Sequence, residues 1–156
     1  STPLTLCYRA SRDGWSSQQF HAHCDYKAGT VVLVKVQNWI FGGYTDQTWQ
    51  RTSSYQNKSS NESFLFSLRN PSNMQPFKCP IINGGNGNAI YCGPSYGALF
   101  GGGHDLNISA KSNTNSSSNL GYTYQPPPGY QYGTQQTQSL FAGSQYFRPT
   151  EVEVFY

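Results

Sequence analysis

The most apolar stretch of the chain runs over residues 30–44. Val31, Val32, Leu33, Val34 and Val36 are bulky or β-branched. They predict a strand buried on most of both faces. Gln37-Asn38 predicts a two-residue turn, and Trp39-Ile40-Phe41 the returning strand. Gly42-Gly43 then lets the backbone bend or pack where a side chain would clash. This hairpin is expected at the centre of the core.

Upstream, Leu4, Leu6 and Tyr8 alternate with Thr5, Cys7 and Arg9, which predicts a half-buried strand over 3–10. A turn over 11–14 follows. Ser16 is placed to cap a helix over 17–24, with Trp15 and Phe20 as a hydrophobic staple. Downstream, residues 45–63 are polar and read as a long surface excursion. Phe64 to Leu68 predict a strand, and residues 76–82 and 89–92 a strand pair joined by the Asn/Gly connector 83–88. Leu106 and Ile108 alternate with polar neighbours, predicting a short strand. Residues 111–119 are Ser- and Asn-rich and are expected on the surface. Residues 139–142 and 146–147 are short strand candidates, and Glu151 to Tyr156 alternate cleanly as a closing strand. The first helix alone carries a strong helical signal. The pattern predicts a mainly β, α+β fold with antiparallel pairing, one domain over residues 1–156.

Composition narrows the function classes. Only 11% of residues are charged, the net charge is +3, and the ten Lys and Arg residues are scattered. No basic cluster points to nucleic acid. No run reaches the roughly 20 apolar residues of a membrane span. Aromatics reach 15%, with 12 tyrosines, among many Ser, Asn, Gln and Gly residues. Such groups suit a surface that stacks and hydrogen-bonds, although tyrosine also favours strands. Four cysteines permit two disulfides. A bridge between Cys79 and Cys92 across the predicted strand pair is expected first, leaving Cys7 with Cys24. Asn57, Asn61, Asn107 and Asn115 head Asn-x-Ser sequons. With the cysteines, and Ser1 in place of an initiator Met, they predict an extracellular protein.

Several segments together resemble a TLDc domain. They are Tyr8-Arg9-Ala10-Ser11-Arg12-Asp13-Gly14, Phe20-His21, Cys24-Asp25 and Phe41-Gly42-Gly43-Tyr44-Thr45 followed by Trp49. Ser63 to Leu68, Gly93-Pro94-Ser95-Tyr96-Gly97, Phe100 to Leu106 and Glu151 to Phe155 complete the series in order. The resemblance implies a two-layer antiparallel β-sandwich flanked by a few short helices. It implies that the family's usual segment before Leu4 is missing here, exposing an apolar patch. It also implies kinship with proteins that protect against oxidative stress and bind the vacuolar proton pump, and it brings no agreed catalytic residues.

Side-chain chemistry points to binding rather than to an enzyme. His21 and His23 project about 200° apart on a helix, which does not suit one ion, so no metal is expected. Glu151 and Glu153 lie about 7 Å apart on one strand face, a spacing any alternating strand gives. No P-loop, metalloprotease or Gly-x-Ser-x-Gly motif is present. No cofactor is implied. Sugar recognition needs an aromatic face and a few polar groups. Asp46 and Trp49, then His104, Asp105 and Asn107, then Tyr130 and Tyr132 supply them in three loops. The sequence therefore predicts a secreted lectin, with glycans as partners and homo-oligomers for avidity. A protein-interaction or matrix module is the alternative, and an oxidative-stress role is the family's own suggestion. A deep pocket with perturbed acids would mark an enzyme, a shallow site a lectin, and a large apolar patch an interaction module.

Overall fold

A computed structural model of the chain describes residues 3–83, 86–109, 111 and 114–156. Two six-stranded antiparallel sheets face each other. The strands in chain order are β1 Leu6–Arg9, β2 Thr30–Val36, β3 Trp39–Thr45, β4 Gln56–Lys58, β5 Phe64–Arg69, β6 Phe77–Pro80, β7 Ile90–Cys92, β8 Leu99–Phe100, β9 Leu106–Asn107, β10 Ser116–Ser118, β11 Tyr146–Phe147 and β12 Glu151–Phe155. The first sheet runs β1-β12-β2-β3-β5-β6, and the second β11-β10-β9-β8-β7-β4.

The β2–β3 hairpin pairs from Thr30 with Thr45 to Val36 with Trp39, around Gln37 at φ +53°. It lies inside the first sheet, as its apolarity predicts. Val32, Val34, Phe41 and Gly43 face the second sheet. A Cβ on Gly43 would lie 2.6 Å from the Phe100 ring and 2.9 Å from Leu65 Cδ2, so the missing side chain lets the layers close. Trp49 fastens the two layers. It is fully buried, its ring meets Phe20 at 5.7 Å and Phe100 at 5.3 Å, and its Nε1 donates to Thr30 Oγ1 at 2.9 Å.

Three short α-helices stand among the described residues. α1, Ala10–Asp13, forms where a turn is predicted, because the Asp13 carboxylate accepts the Arg9 N–H and Gly14 closes the end at φ +108°. α2, Ser17–Cys24, starts at the predicted cap, where Ser16 accepts from the Gln19 N–H. α3, Gln135–Gln138, is a single polar turn capped by Thr134, too short to show a period.

Four expectations are corrected. Residues 76–82 and 89–92 do not pair: β6 joins β5 in the first sheet, whereas β7 joins β4 and β8 in the second. Cys79 and Cys92 consequently stand in different layers as buried free thiols, and the disulfide joins Cys7 to Cys24. Residues 116–118, expected on the surface, form β10 between β9 and β11, where the small side chains of Ser116 and Ser118 are fully buried. Residues 139–142 are a turn after α3 rather than a strand, and Leu140 and Phe141 plug the core. Of the predicted connector 83–88, Gly84 and Gly85 lie outside the described residues.

Candidate functional site: two outer faces

The Gly-Gly-Gly-His-Asp loop singled out in the sequence is built around its aspartate. Gly101 adopts φ +91°, and a Cβ there would meet Asp105 Oδ1 at 2.1 Å. Asp105 is fully buried. Its Oδ2 accepts N–H groups from Gly121 at 3.1 Å, Thr123 at 2.9 Å and Tyr124 at 3.0 Å. Burial pushes the carboxyl up to about 6, against the pull of these donors. Asp105 thus binds its own chain, not a ligand. His104 is the loop's outward product: it is exposed, with φ +58°.

The other predicted residues separate. Trp49 is core. Asp46 accepts from Ser60 Oγ at 2.6 Å and braces the 45–63 excursion. Tyr130 packs against the core, with its hydroxyl 3.5 Å from Met74 Sδ. Tyr132 is exposed and meets Tyr122 edge-on at 5.5 Å. Asn107 lies on the outward row of the second sheet. Among the sequons, Asn57, Asn61 and Asn115 are exposed and Asn107 is half-buried.

That outward row is legible from the register. Asn57 stands opposite Tyr91, Tyr91 opposite Leu99, Leu99 opposite Asn107, Asn107 opposite Ser117, and Ser117 opposite Tyr146. Aromatic side chains from the flanking loops gather on it. Tyr96 meets Tyr55 at 4.8 Å, His104 at 6.0 Å and Tyr91 at 6.5 Å. Leu99 is fully buried yet outside the central core cluster, so this face has an apolar floor of its own. His21 holds the Tyr96 segment: its Nε2–H donates to Tyr96 O at 2.7 Å, while Nδ1 meets Asp25 Oδ1 at 2.6 Å. Tyr55, Tyr91 and Tyr96 were not among the site residues predicted from the sequence, although Tyr96 lies in one of the segments that carry the resemblance. The alternation of Tyr91 between Ile90 and Cys92 was the available signal.

The outer face of the first sheet differs. One cross-strand row reads Phe155, Val31, Tyr44, Phe64 and Pro80. The next reads Glu153, Leu33, Gly42, Phe66 and Lys78. Together they border an open trough of about 430 Å³, lined by Val31, Tyr44, Phe64, Phe66 and Leu68 among others. Tyr44 and Phe64 stack at 5.3 Å, and Lys78 Nζ lies 4.3 Å over the Phe64 ring.

The remaining reactive groups are engaged in structure. Glu153 accepts Arg9 Nε and Nη2 at 2.9 and 2.7 Å, and Glu151 accepts the Ser11 N–H at 3.1 Å. The two carboxylates therefore hold β1 and α1 onto β12. Burial, reinforced by Asp105, pushes the Cys79 thiol up to about 12, which leaves it a poor nucleophile. Burial also raises Cys92. His21 and His23 do not converge, and among the described residues no three His, Cys, Asp or Glu side chains gather as metal ligands. No helix of the described residues is long and apolar enough to cross a membrane.

A two-layer antiparallel sandwich with flanking helical turns and two differentiated outer faces defines a β-sandwich of the kind the sequence resemblance implied. The chain belongs to the TLDc domain family, whose pattern matches residues 1–156. No curated protein matches it.

Proposed function

We propose that this TLDc chain works by binding, and that its principal ligand is a protein docked on the outer face of the first sheet. The observation that carries this is the apolar row crossing five strands, with the trough beside it. An antiparallel sheet facing water alternates apolar inward with polar outward. Here the outward positions Val31, Leu33, Ile40, Tyr44, Phe64 and Phe66 break that rule on three adjacent strands. Contiguous patches of this kind mark interaction sites. The cations on this face are Arg9, Lys35 and Lys78; of its carboxylates Glu153 is paired with Arg9, and Glu151, opposite Lys35, accepts the Ser11 N–H. The fitting partner is therefore an apolar ridge flanked by carboxylates. The Cys7–Cys24 bridge and the exposed sequons support an oxidising, extracellular setting for this contact.

A photo-crosslinking residue at position 68 tests the reading, because Leu68 borders the trough and is half exposed. It should label one partner protein at an acidic-flanked apolar segment. Leu68→Glu should weaken the purified partner at least tenfold, with stability changed by no more than about 0.5 kcal/mol. Unchanged affinity would defeat the proposal. Labelling of a second copy of the chain would replace the heterologous partner with a homo-oligomer.

A further inference from the structure

We infer that the outer face of the second sheet is a saccharide-binding platform, formed by Tyr55, Tyr91, Tyr96 and His104 over Leu99. Sugar rings bind through their C–H faces on aromatic rings and through hydroxyls on fixed polar groups. Both are in place here. Tyr55 is 59% exposed, and it lies so close over Gly93 that a Cβ there would meet its ring at 2.4 Å. One side of the ring is thereby seated on backbone, and the other faces water. Its hydroxyl is 3.0 Å from Ser95 Oγ. Beside it, Asn88 Oδ1 accepts from Asn57 Nδ2 at 2.6 Å and from Tyr91 OH at 3.2 Å. These amides and hydroxyls are oriented by one another, so a ligand hydroxyl meets groups whose rotamers are already fixed.

The surroundings set the ligand class. No carboxylate or Lys/Arg head group is among these side chains. The nearest cation on β4, Lys58, turns away and donates to Thr48 O, Thr48 Oγ1 and Gln50 Oε1. The platform therefore suits a neutral saccharide rather than a uronate or sulfated chain. His104 supplies a side wall at a backbone angle that L residues seldom adopt, here φ +58°. A non-glycine residue held there, with an exposed imidazole beside Tyr91 and Tyr96, suits a contact more than packing. The site is shallow and open, so single-ring affinity is weak and repeated copies are needed for tight binding.

Saturation-transfer NMR on protein made without N-glycans tests this with three neutral probes: chitotriose, cellotriose and mannotriose. At least one should receive saturation at its ring C–H protons. Its multivalent form on a surface should lose at least tenfold in binding with Tyr55→Ala. His104→Gly, which keeps the backbone angle, should also weaken it. Leu68→Glu and Tyr132→Ala should leave it unchanged. No transfer to any of the three probes, or equal binding by Tyr55→Ala, would overturn the assignment. Equal loss in Leu68→Glu would overturn it too, by placing the sugar on the wrong sheet.

Discussion

The outer faces of the two sheets are built on opposite principles. The first rests on long ladders: β2 and β3 pair over seven positions, and β12 continues the register over five. Its shape follows from backbone pairing, and its outward side chains are apolar. The second rests on β8, β9 and β11 of two residues each and β10 and β7 of three. Strands that short cannot define a surface alone, since few ladder bonds fix each one. Buried and half-buried polar side chains do it instead. Asp105 holds 121–124, Asn119 Nδ2 donates to Gly103 O at 3.0 Å, and Thr123 Oγ1 accepts from the Gly102 N–H at 2.8 Å. A ladder makes a stiff, plain face suited to covering by a partner. Side-chain anchoring makes a face whose chemistry can be arranged residue by residue.

Trp49 reaches the first sheet through Thr30, the second through Phe100 and α2 through Phe20, so its removal gives the largest effect. Trp49→Ala should cost about 4 kcal/mol in urea unfolding, from lost transfer free energy plus the cavity. Both faces should lose their ligands together. A variant that unfolded easily yet kept one face intact would break the view that the layers share a core.

The same contrast explains what the sequence disclosed. The hairpin, α2 with its Ser16 cap, and β12 were legible because each is long enough for a period to repeat. β10 was not, because serines buried by neighbouring strands look like surface in any local window. The bridge between Cys79 and Cys92 was misread for a related reason. The adjacent segments look like a hairpin, and only the pairing partners β5, β4 and β8 send them to different layers. Site residues followed the same rule. His104 and Asn107 do lie on the second sheet's outer side. Tyr55 is far in sequence from Tyr91 and Tyr96, and the Asn57–Tyr91 register brings its segment to them. Asp105 has the chemistry of a ligand group, but its ligands are the N–H groups of residues 121–124.

The Cys7–Cys24 bridge probes the first sheet alone. It ties the end of α2 to edge strand β1 with a sequence separation of 17. Closing a loop of that size is worth about 3 kcal/mol. Replacing both cysteines with Ala should lower stability by that order. Hydrogen exchange should speed up most in β1 and α2, beyond the uniform change that lower global stability brings to β9 and β10. Equal loosening of β9 and β10 would mean that the second face depends on the first sheet's edge.

The smallest effect isolates the second face, through the titration of Asp105. Its folded value, about 6, lies above the ordinary 3.8 because burial disfavours the charged form. The folded protein therefore binds the proton more tightly than the unfolded chain does. This group favours folding at low pH, and that advantage is lost as pH rises towards and through 6. Between about pH 5 and about pH 7 the loss should be roughly 1 kcal/mol. The measurement is the difference between the protein and Asp105→Asn, which keeps the shape and one acceptor but cannot ionise, so that every other titrating group cancels. The variant should lack this part of the slope. Its sugar-binding signal should change with the loop anchor, while docking on the first sheet stays constant. Identical slopes for the two proteins would show that the carboxyl ionises as freely folded as unfolded, with the backbone N–H groups fully offsetting its burial.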